Sequence, residues 1–253
     1  MTAPTNGAVT RSPDEATPSL RILVHNPASG GRLSATVVGR VAEILRAEGE
    51  VRVLATEGPG HASDLVESAL RSRPDELTDV LALGGDGTLN EVLLGAWRAG
   101  SFAPSGPPVR AGIIPAGSTN VVARSLGLPL NPVRAAASLV LGGATRLDLG
   151  VCRLETGERP FLLACGVGFD AEVARDVSPW LKRCLGRHAY FLSALRATGE
   201  SDRGVVAEWE RADGTRGSRE AASVIMATAL FMQASSASID ERHFRMAFSS
   251  SRS

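Results

Sequence analysis

The chain has 253 residues, 43% of them hydrophobic, and its 27 basic side chains balance 27 acidic ones. That length and apolar content suit one large domain or two small ones built around real cores. Zero net charge supplies no basic field for nucleic acid, and no run approaches the roughly 20 apolar residues that span a bilayer.

Residues 1–19 (MTAPTNGAVTRSPDEATPS) lack the apolar stretch of a secretion signal and read as a disordered lead-in. Cys152, Cys165 and Cys184 have neither metal-ligand nor CxxC spacing, and their odd number suits a reducing compartment. His25, His61, His188 and His243 show no ligand spacing either. The expectation is a cytoplasmic protein.

From residue 20 onward, strand-like and helix-like segments alternate. LRILVH at 20–25 predicts a strand, followed by NPASGG and a helical pattern over 33–48. A second strand at 51–55 leads through TEGPGHA into a helix over 62–71. The apolar run at 80–83 passes directly through Gly84, Gly85, Asp86 and Gly87 into a helical pattern from Thr88. A fourth strand, VRAGIIP at 109–115, leads through AGSTN into a helix over 121–126, and PVRAAASLVLGG continues as another. Such successive units predict a parallel sheet with right-handed crossovers.

In that sheet every strand-to-helix loop leaves the carboxyl edge, where ligands bind. All four loops are rich in Gly, Ser, Thr or Asn and run into helix starts. Helix starts offer unpaired N–H groups and partial positive charge, which suit phosphate. One such loop is an ordinary turn; four on one edge predict a nucleotide or phosphate cleft. No Walker A loop is present, the only lysine is Lys182, and Asn90 stands where a dinucleotide fingerprint needs its third glycine. Backbone N–H groups, hydroxyls and Arg32 or Arg124 are therefore left to hold phosphate, with a divalent cation for the remaining charge. Among phosphate oxygens the Asp86 carboxylate would be repelled unless it held a metal or accepted a proton from a nucleophile.

GGDGTLNEV at 84–92, with HNPASGG before it and PAGSTNVVARSLGLP at 115–129 after it, resembles the diacylglycerol kinase catalytic-domain family. That family includes bacterial lipid kinases and the sphingosine and ceramide kinases. The resemblance runs from about residue 20 to 196 and takes in Thr56 with GHA at 60–62, LDLG at 147–150, ACGVGFDAEV at 164–173 and AYFLSAL at 189–195. GGDGT alone also suggests NAD kinases and phosphofructokinases, but the combination of segments is more specific.

The resemblance implies an ATP:lipid phosphotransferase that adds phosphate to the hydroxyl of diacylglycerol or a related long-chain lipid alcohol. Asn26, Pro27, Ser29, Gly30 and Thr56 would bind the nucleotide. Gly84, Gly85, Gly87 and Thr88 would cradle its phosphates, with Ser118 and Asn120 nearby. Asp86 would activate the lipid hydroxyl or organise Mg²⁺. Ser118 stands where the family usually has threonine and keeps the hydroxyl. Glu91, Asp170 and Glu172 are candidates for the substrate side, although the last two read equally as a solvated pair at a strand end.

From residue 146 the texture becomes strand-rich, and Asp213-Gly214 marks a hairpin. The expected organisation is an α/β ATP-binding domain over 20–145 and a β-rich second domain over 146–253. The segment 180–198, with Lys182, Arg183, Arg187 and Arg196, reads as a helix with a solvated basic face, or as peripheral contact with the inner membrane face. After 221–231 the ending departs from the family pattern, predicting that strands stop at Phe231 and that the second domain is incomplete. A catalytically impaired nucleotide- or lipid-binding paralogue and an NAD-kinase-like enzyme stand as alternatives.

Overall fold

The computed structural model describes residues 18–31, 33–103, 105–154, 157–168, 205–211, 215–221, 223–227 and 244–250. Residues 1–17 of the lead-in, Arg32, Asp170, Glu172, the basic segment 180–198 and the Asp213-Gly214 turn lie outside the described residues. The chain divides into two compact units, Met1–Leu147 with Val151–Pro160, and Asp148–Gly150 with Phe161–Ser253.

In the first unit four strands form one parallel sheet: β1 (Leu20–His25), β2 (Glu50–Ala55), β3 (Thr78–Gly84) and β4 (Val109–Pro115), in the order β2-β1-β3-β4. β1 and β3 are near-continuous apolar runs because both of their faces are covered. β2 lies at an edge and is largely half-buried or exposed. The register pairs His25 with both Ala55 and Leu83, and Gly84 with Pro115, so all four strands end level.

The order reverses between β1 and β3, so right-handed crossovers place α1 (Ala35–Arg46) on one face and α2 (His61–Arg71) and α3 (Asp86–Arg98) on the other. α4 (Val121–Ser125) and α5 (Pro132–Leu141) follow β4. Leu23, Leu81, Leu83 and Ile114 pack with Val41, Leu45 and Ala135 into the core shared by the sheet, α1 and α5. Each fully buried aliphatic side chain of this kind contributes about 1.5–3 kcal/mol. Local chemistry sets the helix starts. Ser34 Oγ accepts the Val37 N–H, and Asn131 Oδ1 accepts from Val133 and Arg134 ahead of Pro132 at the first turn.

β5 (Gly150–Leu154) and β6 (Gly157–Phe161) form a two-stranded ribbon. In the second unit β7 (Ala164–Gly168) pairs antiparallel with β10 (Ser223–Ala227). β8 (Val205–Arg211) pairs antiparallel with both β9 (Arg216–Ala221) and β11 (Phe244–Ser250). β11 corrects the expectation that strands stop at Phe231. Its sequence alternates Phe244, Met246 and Phe248 with Arg245 and Ala247, a period of two that could have revealed it.

Candidate functional site

Three loops meet backbone to backbone at the carboxyl edge of the first sheet. Gly30 has φ +59, in the left-handed region, and a Cβ there would collide with the Ala116 carbonyl oxygen. A Cβ on Gly117 would lie 2.6 Å from Gly85 Cα, and one on Gly85 would lie 3.3 Å from Gly117 Cα. A Cβ on Gly84 would collide with the Thr88 side chain, which is itself buried. Gly87 differs, because a Cβ there would meet nothing within 4 Å. Two of the three glycines around Asp86 therefore permit close packing, and the third leaves open space above the start of α3.

The acidic side chains of α3 reach sideways to its neighbours. Asp86 Oδ2 accepts the Val121 N–H at 3.0 Å and Oδ1 accepts the Val122 N–H at 3.0 Å, so this carboxylate caps α4. Glu91 Oε2 accepts the Ala62 N–H at 3.2 Å and thereby caps α2, whose own N-cap residue is Gly60. With Ser34 on α1 and Asn131 on α5, four helix starts have a side-chain acceptor. Among the described residues only α3, entered through Gly85, begins without one. Its first N–H groups are the ones left for an external anion.

The other predicted residues divide into struts and open positions. Asn26 Oδ1 accepts the Ala28 N–H at 2.9 Å, folding the first loop back on itself. Asn120 is buried at φ 50; its Oδ1 accepts the Gly117 N–H at 3.0 Å and its Nδ2 donates to the Gly117 carbonyl at 2.7 Å. That side chain closes the 117–120 turn. Thr56 donates its N–H to the His25 carbonyl at 2.9 Å and is half-buried, whereas Pro27 and Ser118 are exposed and Ser29 is half-buried. Arg124 donates Nε to the Thr119 carbonyl at 3.0 Å. An open cavity of about 340 Å³ lies beside these loops, walled by Ser29, Gly30, Gly117 and Asn120 with Leu33 and Leu130. A second, of about 440 Å³, sits far down α3 at Trp97 and Arg98, away from the loops.

His25, at the end of β1, was not singled out by sequence. Its Nδ1 is buried and has no hydrogen-bond partner among the described residues. Burial lowers its pKa from the ordinary histidine value. Nothing in a lone histidine before NPASGG distinguishes it from a surface residue; its place between β2 and β3, level with Ala55 and Leu83, is set by the sheet.

Among the described residues no three His, Cys, Asp or Glu side chains gather into a metal-binding cluster. Asp86 still suits Mg²⁺. Each of its oxygens accepts one N–H and keeps a second lone pair, and Mg²⁺ commonly needs only one or two carboxylates beside phosphates and water.

The family model for the diacylglycerol kinase catalytic domain matches residues 21–152. The diacylglycerol kinase of Bacillus subtilis (strain 168) is 34% identical over 176 residues, covering 68% of this chain and 54% of that protein. A Pseudomonas fluorescens protein named "Probable lipid kinase YegS-like" is 35% identical over 159 residues, 62% of this chain and 48% of its own length. The chain thus spans about half the length of the curated relatives it matches. A crystal structure of a candidate diacylglycerol kinase from Bacillus anthracis str. Sterne superimposes with a TM-score of 0.59 at 25% identity, covering 85% of this chain and 66% of that one.

Proposed function

Since the chain belongs to the diacylglycerol kinase catalytic-domain family, we propose that it is an ATP-dependent lipid kinase whose acceptor is the hydroxyl of diacylglycerol or a related long-chain lipid alcohol. In this reading residues 20–145 form the ATP-binding domain and 146–253 contribute the β-rich domain on the lipid side. The observation that carries the nucleotide half is the uncapped start of α3, flanked by two helix starts that α3's own carboxylates cap. The N–H groups of Gly87 and Thr88 receive phosphate, and the open space over Gly87 admits it. Asn26, Pro27, Ser29, Gly30 and Thr56 hold the rest of the nucleotide, with Gly84, Gly85, Ser118 and Asn120 shaping the wall.

Asp86 is the catalytic carboxylate. The lipid hydroxyl oxygen attacks the γ-phosphorus, its proton passes to Asp86, and the bond from phosphorus to the β,γ-bridging oxygen breaks to release ADP. If Asp86 instead holds Mg²⁺ with the phosphates, the ion would neutralise the charge that develops on the leaving side, and the proton would leave by another route. The chain works in the cytoplasm and meets its lipid at the inner membrane face, with no nucleic-acid partner.

A second reading is favoured by the double cap on α4: Asp86 locks the loops together, and the chain binds nucleotide without transferring phosphate. Calorimetry with Mg²⁺ and ATP, followed by phosphorylation of diacylglycerol in mixed micelles, separates the two. The kinase reading expects Mg²⁺-dependent ATP binding and lipid-dependent ADP release, with Asp86→Asn lowering transfer by about 10²–10⁴-fold. Because the Asn amide presents an N–H to one of the two α4 donors, the variant should also melt earlier, by about 1–2 kcal/mol of stability. Binding of ATP with no lipid phosphorylation would leave the second reading; no ATP binding by folded protein would remove both.

A further inference from the structure

We infer that Glu91 is a positioning residue: its carboxylate, reaching from α3 to the start of α2, sets the 56–60 loop against the phosphate-binding start of α3. The functional half of this inference rests on the nucleotide-site reading above, whereas its structural half stands on geometry alone.

The β2–α2 connection runs from Thr56 to Gly60. At its first end the Thr56 N–H donates to the His25 carbonyl at 2.9 Å. Within it the Glu57 N–H donates to His61 Nδ1 at 3.1 Å. At its far end the N-cap position is Gly60, at φ 84, with no side chain to accept the first helical N–H groups. Glu91 supplies the missing acceptor from 29 residues away, at the fully buried Ala62. A carboxylate there meets both an orphan N–H and the positive end of α2.

One turn further along α3, on the same face, lies Gly95. A Cβ at Gly95 would collide with the Ser63 carbonyl oxygen and lie 2.8 Å from Val66 Cβ, so α2 and α3 touch almost backbone to backbone. The Gly95 contact sets the spacing of the two helices, and the Glu91 cap sets how α2 begins against α3. α3 opens with the 85–88 turn, so the same rigid element carries the phosphate-binding N–H groups and the clamp on the Thr56 loop. Misplacing a binding group by even 1 Å can cost about 10²-fold in a reaction that depends on alignment.

The test compares wild type, Glu91→Ala and Glu91→Gln in the whole chain. Amide hydrogen exchange is measured without nucleotide, and calorimetry is measured with Mg²⁺ and ATP. Glu91→Ala should raise exchange at Ala62 and across 57–61 by about tenfold or more, leaving α1 and β3 unchanged. The same variant should weaken ATP binding severalfold. Glu91→Gln keeps an acceptor without the charge and should recover most of the protection; if Glu91→Ala does not fold, a loss of about twofold in Glu91→Gln, confined to Ala62 and 57–61, carries the test. Unchanged exchange at Ala62, or a uniform rise over the whole unit, would overturn the clamp. Local loosening with unaltered ATP affinity would overturn the positioning role. A wild-type chain that binds no ATP would remove the site reading, while the exchange data would still decide the clamp.

Discussion

Single residues around the site separate binding from folding more cleanly than their shared glycine composition suggests. Gly87 sits inside the first turn of α3 with open space where a side chain would go. Gly87→Ala should therefore leave the melting temperature unchanged or raise it, since alanine favours a helix over glycine by up to about 1 kcal/mol. The added methyl group occupies the proposed phosphate position, so ATP affinity measured by calorimetry should fall. His25 makes a different prediction. Its half-buried ring, whose Nδ1 has no hydrogen-bond partner among the described residues, resists protonation, so its folded pKa lies below the unfolded value of 6.5. As pH drops below 6.5 the unfolded chain takes up a proton that the folded chain does not, and stability is lost. Melting at pH 5.5 and 7.5 should show a smaller difference in His25→Leu than in wild type.

At the scale of elements, α3 organises the edge. Its N-terminal carboxylate holds α4, Glu91 holds α2, and Gly85 lets the 116–120 turn lie directly against it. α4 has only five residues and could not stand as an independent helix. The cap from Asp86 and the closure of its entering turn by Asn120 are what hold it. Gly117→Ala tests this arrangement. Its methyl group would press on Gly85 Cα, and overpacking of this kind costs about 1–3 kcal/mol. Urea unfolding should register that loss, and ATP binding should weaken as well because the two loops must part.

Across the first unit, an ion-pair network and the proposed nucleotide site lie at opposite ends of the same strands. At the amino edge, Asp79 bridges Arg21 at 3.4 Å and Arg110 at 2.7 Å, three residues level with one another on β1, β3 and β4. Arg21 is buried and also donates to the Glu48 carbonyl at 2.8 Å, closing the end of α1. Asp79→Ala would leave that buried guanidinium without its carboxylate, at a cost of about 3 kcal/mol. Thermal unfolding should show the loss. ATP affinity should remain near wild type, because the site lies at the carboxyl ends of the same strands; a matching fall in affinity would contradict that separation.

The alternation of apolar runs with helical periods determined the four-strand α/β unit, because a strand covered on both faces and an amphipathic helix leave different patterns in sequence. Ser34 and Asn131-Pro132 carry local helix-start chemistry, although the helix expected over 33–48 began before its Ser34 cap. The loop-borne glycines likewise marked the family, and with it the edge proposed to bind ligand. Their division of labour was not readable: only the approach of Gly117 separates Gly85 from Gly87. Asp86 and Glu91 were legible as carboxylates of the proposed site, yet their hydrogen-bond partners lie 35 or 36 and 29 residues away. Local pattern cannot report a cap supplied from another helix. The tertiary structure decided those roles because an orphan N–H takes whichever acceptor the packing of the helices brings within reach.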